Sequence, residues 1–136
     1  MSYRISGPER AGRLLALGGA AFRTSVGAGY LLAPARMAAA RLAPETDDSP
    51  DARLFVRGFG GHQLVTGAIT LAALRARRLL GPALALNVLI DGLDLTSAAL
   101  EVRRRGQADR TLAGSMALSA TAVAWAVALR SVLGRD

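Results

Sequence analysis

The chain has no cysteine, which excludes a disulfide framework, a thiolate metal site and a cysteine nucleophile. It has one histidine, His62, too few for a multi-histidine metal centre. Aromatic residues are 4% of the sequence, which leaves little with which to stack nucleic-acid bases or build a large ligand cage. Lysine is missing as well: all 17 basic residues are arginine, set against 10 acidic ones for a net charge of +7. Charged residues make up 20% and hydrophobic ones 51%, so this is not a disordered charged tail. At 136 residues the chain is one domain at most. What remains is a helical protein rich in alanine, leucine and glycine.

The placement of the arginines says more than their number. They cluster between apolar stretches: Arg4, Arg10 and Arg13; Arg75, Arg77 and Arg78; Arg103, Arg104, Arg105 and Arg110. Flanking clusters of this kind anchor membrane helices at the lipid head groups. A basic protein also fits nucleic acid, and a soluble basic helical protein stands as a more distant reading. The expected partner is the lipid bilayer, with a homo-oligomer or another membrane protein beside it, and neither nucleic acid nor metal.

Four apolar stretches emerge, at about 14–33, 54–74, 79–100 and 111–129. Each approaches the ~20 residues needed to cross a ~30 Å hydrocarbon core. The fourth carries no charge and ends near Trp125; the first is interrupted by Arg23 and closed by Pro34. Arg4, Arg10 and Arg13 before Leu14–Phe22 also have the layout of a signal peptide, but the continuation through Arg23 to Leu32 fits a full span better. Between the first two stretches, Arg36 to Leu42 reads as a short interfacial helix, and the acidic, proline-bounded residues 44–51 read as a solvated loop. The fold expectation is therefore an all-α membrane four-helix bundle in a single domain, 1–136. Arginines divide about evenly between the two sides, so charge alone does not orient it. The leading first helix places both termini inside.

The amphipathic pattern of a soluble bundle, a charged face recurring every three to four residues, is missing from the first and fourth stretches. Small residues are spaced for close helix contact instead: Gly60 and Gly67 in the second stretch, and Ala113, Ala117, Ala120 and Ala124 in the fourth.

Chemistry concentrates in the third stretch. Asn87, Asp91 and Asp94 stand at i, i+4 and i+7 and share one helical face, with Glu101 continuing the line towards the surface. An intramembrane aspartate costs ~2.5–3.5 kcal/mol on insertion scales, so it faces a partner or a wet cavity. The second and third stretches form a hairpin around Arg78–Leu79, which puts Asp94 level with His62 and Gln63, and Asp91 level with Thr66. Arg57 lies one to two turns nearer the surface, within reach of Asp94, while Arg23 lies at the depth of Asp91. The candidate buried polar cluster is Arg23, Arg57, His62, Gln63, Asn87, Asp91 and Asp94. Two cations and two carboxylates balance, the condition for burying any of them. No phosphate-binding loop, dinucleotide fingerprint or nucleophile elbow is present, and no cofactor is expected.

The run Arg57-Gly58-Phe59-Gly60-Gly61-His62-Gln63-Leu64, then Gly67, a basic turn and Asp91-Gly92-Leu93-Asp94, resembles a bacterial, actinobacterial-type family of small four-helix membrane proteins. Its members look like Arg-x-x-Gly-x-Arg-Asp in helix two and Asp-x-x-Asp in helix three; here His62-Gln63 stands where they have Arg-Asp. The family has no established activity, so the resemblance implies a fold and a membrane location and no substrate. Two functions follow as expectations. One is a non-enzymatic membrane protein that binds a small molecule or proton at the cluster, or packs within a membrane assembly. The other is a membrane enzyme using Asp91 or Asp94 as acid or base on a lipophilic substrate.

Overall fold

The computed structural model describes residues 7–41 and 50–133, and it is helical throughout, with no strand among the described residues. The helices are α1 (Gly7–Leu32), α2 (Pro34–Arg41), α3 (Pro50–Ala73), α4 (Arg77–Arg105) and α5 (Arg110–Leu133). The four long ones overrun the apolar stretches by a turn or more, taking flanking arginines into helix. Of the expected 44–51 loop, residues 44–49 lie outside the described residues, as does Leu42 at the end of the expected interfacial helix. Pro50 and Asp51 already belong to α3, because proline at the first helical position gives up an N–H that would have had no partner.

Local chemistry sets the turns. The α4–α5 turn opens with Gly106 at φ 71°, its N–H donating to the Val102 carbonyl at 2.9 Å. Glycine adopts this left-handed cap without a Cβ penalty. Asp109 then starts α5: its carboxylate accepts the Leu112 N–H at 2.7 Å and its carbonyl the Ala113 N–H at 2.9 Å, an N-cap. At the opposite end, Arg13 of α1 donates to the Leu74 carbonyl at 2.6 Å, serving a terminal acceptor of α3. Glu9 pairs with Arg77, joining the starts of α1 and α4.

Around the molecule α1 meets α3, α3 meets α4, α4 meets α5, and α5 returns to α1. The α1–α3 contact is extensive because glycines let the backbones approach. A Cβ on Gly27 would sit 2.5 Å from the Leu64 nitrogen and 2.7 Å from the Gly60 carbonyl oxygen. One on Gly67 would sit 2.8 Å from the Ala20 carbonyl oxygen. A leucine and alanine core (Ala16, Ala73, Leu80, Ala83, Leu84, Leu129 and Leu133) fills the end nearest the α3–α4 turn.

The alanine face of α5 is not part of that core. Ala113, Ala117, Ala120 and Ala124 are exposed, and α5 instead turns Trp125, Leu129 and Leu133 inward at i, i+4 and i+8. Ala126 is enclosed beside them at 0% exposure.

Much of the exterior is apolar: Leu32, Phe55 and Leu54 are 85%, 79% and 70% exposed, with Leu14, Leu15, Phe22, Leu89, Leu93 and Leu100 all above half. Two helices, α4 and α5, are long and apolar enough to cross a membrane. Only 22% and 11% of their most apolar windows is buried, whereas the core helix of a soluble protein is mostly buried.

Candidate functional site

Asp91 is the central residue of α4, about 21 Å along the axis from either end. It is 2% exposed, and Arg23 of α1, at 8%, donates to its Oδ2. The second guanidinium nitrogen of Arg23 reaches the Gln63 Oε1 at 3.3 Å and the Thr66 Oγ at 3.4 Å on α3. One arginine from α1 thus joins three helices, its fork matching the several acceptors around it.

Thr66 and Thr70 make the α3 side of the site and were not among the sequence candidates. The Thr66 hydroxyl donates to the carbonyls of His62 and Gln63, at 3.0 and 3.1 Å, and presents its lone pair to Arg23. Thr70 repeats the device one turn on: it donates to the Thr66 carbonyl at 2.9 Å and accepts from the Asn87 Nδ2 at 3.0 Å. Thr66, Thr70 and Asn87 are all at most 1% exposed. Spending the hydroxyl proton on the residue's own helix leaves an acceptor for a neighbour, so none of these groups is left unsatisfied. The α3–α4 hairpin register holds the signal for them, since it sets Thr70 level with Asn87 as it sets Thr66 level with Asp91.

The other candidates divide. Asp94 lies one turn from Asp91 and is part-exposed; its Oδ2 is 3.8 Å from the His62 Nε2, beyond hydrogen-bond distance. That Nε2 is the buried side-chain polar atom without a hydrogen-bond partner among the described residues. The His62 ring is held edge-on by Phe59 at 5.5 Å, and Phe59 by Tyr30 at 5.4 Å. Arg57 does not join the cluster. It is exposed, one residue (about 100° of helix rotation) past the buried Val56. The inward face of α3 runs through Val56, Gly60, Gln63, Thr66 and Thr70, which turns Arg57 outwards.

Beside the Arg23–Asp91 pair lies a cleft of about 230 Å³ to which all four long helices contribute. Its polar wall is Arg23, Gln63, Asp91 and Asp94, with Ser119 and Thr121; its apolar wall includes Phe22, Val26, Phe59, Leu118 and Trp125. The indole of Trp125 packs on Gly19, where a Cβ would overlap the ring. No group of three or more metal-ligating side chains exists among the described residues.

Glu101, two turns beyond Asp94, belongs to a separate surface network. It accepts from Arg104 at 2.6 and 2.9 Å and from Arg105 at 2.5 Å, and these hydrogen bonds pull its carboxyl down to about 2. No family model, curated protein or solved structure matches the chain.

Proposed function

We propose that this is a small multi-pass membrane protein in which α1, α3, α4 and α5 all cross the bilayer, as the resemblance to the four-helix membrane family implies, and that its mid-depth cleft binds a small molecule. The observation that carries the reading is an inverted distribution of polarity. A charged pair is buried at the middle of the helices, while leucines and phenylalanines cover the outside. Water-soluble domains seldom expose so much contiguous apolar surface, and lipid favours it. At 24 to 29 residues the four long helices measure roughly 36–44 Å, enough for the ~30 Å hydrocarbon layer. α1 and α3 keep Arg23, Gln63 and Thr66 turned towards one another and Asp91, so the mid-depth charge is paired; Arg57, exposed two turns from the start of α3, reaches the head groups by extending its side chain towards that end. A concave site with an apolar wall and a few convergent polar groups is the usual form of a ligand pocket.

Topology tests the reading, and the absence of native cysteine makes it simple. Single cysteines at positions 53, 75 and 107 are introduced and labelled in intact, sealed vesicles with a membrane-impermeant maleimide. Positions 53 and 107 react together from one face and position 75 from the other, because α3 and α4 each cross. Labelling of 53 and 75 from the same face, or release of the protein by alkaline washing, overturns the proposal.

A further inference from the structure

The charged side chains that line the cleft are one arginine and two aspartates. Arg23 and Asp91 neutralise each other in direct contact. Asp94, on the same wall one turn away, pairs with no arginine among the described residues; the nearest cationic candidate is His62, whose Nε2 stands 3.8 Å from its Oδ2, an ion pair only for a protonated ring and too long to hydrogen-bond. The carboxylate therefore stands at the rim of a largely apolar cavity with capacity to accept hydrogen bonds or a cation. The same cavity is lined by Phe22, Phe59 and Trp125. Aromatic faces attract organic cations through their quadrupole, more strongly where water is excluded.

The cavity also has a lateral way in. Of the four contacts around the bundle, that of α1 with α5 is the sparsest. They touch at Gly12 against Leu133 and Gly19 against Trp125. Further along the same seam lies the cleft, and two of its lining residues, Phe22 and Leu118, are 59% and 43% exposed on the outer surface. At about 230 Å³ the cavity takes a compact head group and a few carbons; a longer tail must leave along that seam.

We infer that the cleft is a binding site for lipophilic organic cations, with Asp94 receiving the ammonium group, the three aromatic rings flanking it and the tail passing out between α1 and α5. This rests on the membrane reading above and names the class of ligand. Arg23 sets the selectivity: it holds Asp91 neutralised, so a single carboxylate is left for a single positive charge, and it repels a second cation.

Trp125 is the sole tryptophan and lines the cleft, so intrinsic fluorescence reports occupancy directly. The protein in zwitterionic nanodiscs is titrated with octyltrimethylammonium brominated on its chain, whose heavy atom quenches indole. Chain-matched brominated octanol and octanoate serve as neutral and anionic controls. Saturable quenching by the ammonium is expected, with both controls weaker. Asp94→Asn weakens the ammonium about tenfold or more, the scale of one partly screened ion pair, and Asp94→Glu restores it. Equal quenching by the alcohol, or an unaffected Asp94→Asn, overturns the cation assignment and leaves an apolar cleft. Failure of the ammonium to quench, in protein that shows the expected cysteine labelling, also overturns the assignment while the membrane topology stands.

Discussion

Arg23 and Asp91, sixty-eight residues apart, meet at the middle of α4 with the guanidinium donating to the carboxylate, and both are almost wholly enclosed. The pair couples α1 to α4 across the molecule, and its other hydrogen bonds draw in α3. Removing one member leaves the other charged, buried and unpaired, which costs more than the pair contributes when intact.

For that reason Arg23→Met and Asp91→Leu each lower stability in detergent by ~3–5 kcal/mol, while the double variant loses clearly less than the sum. Thermal unfolding of the four proteins in one detergent measures the cycle. Additive losses contradict the contact.

Asn87 and Thr70 form a second, neutral link between α3 and α4, at 3.0 Å and fully buried. Thr70→Val strands the Asn87 amide and costs ~1–3 kcal/mol, whereas Thr70→Ser keeps the acceptor and most of the stability. Denaturant titration followed by circular dichroism distinguishes them; a larger loss in Thr70→Ser than in Thr70→Val points to packing of the methyl group instead.

Glycines along α3 differ in what surrounds them. Gly27→Ala on the facing helix drives a methyl into backbone atoms of Gly60 and Leu64, which cannot yield, and destabilises by ~1–3 kcal/mol. At Gly58 a Cβ meets nothing within 4 Å, so Gly58→Ala is neutral or gains ~0.5–1 kcal/mol from reduced backbone freedom. Melting curves of the two variants should move in opposite directions or differ by several degrees.

Glu101 lies near the end of α4, and its carboxyl is lowered from 4.5 to about 2 by Arg104 and Arg105. A depressed folded-state value stabilises above the unfolded value of 4.5 and is lost as pH falls towards 2. Wild type and Glu101→Gln therefore differ by a small constant amount above about pH 5 and converge below it, more so at low salt. A carbon-detected carboxyl titration of Glu101 finds its midpoint near 2, returning to the ordinary range in the Arg104→Ala/Arg105→Ala protein.

Helicity and approximate helix limits follow from sequence alone. Pro34 and Gly106 punctuate the chain through constraints on their own backbones, and long runs of alanine and leucine do the rest. The level of each polar residue along its helix was also legible, because rise per residue and a short α3–α4 turn fix relative depth: Asp94 beside His62, Asp91 beside Thr66. Direction around the helix axis was not. Arg57 was placed inward and faces out; the alanines of α5 were placed at a packing face and lie on the surface. Helical period fixes which residues share a face, but where nearly every face is apolar, no contrast in polarity tells which one turns inward. That choice is made by neighbouring helices: the glycine contacts of α1 with α3, the depth at which Arg23 reaches Asp91, and the seating of Trp125 on Gly19 with Leu129 and Leu133 in the core. The cleft, enclosed by residues from four separate helices, comes into being only with that packing.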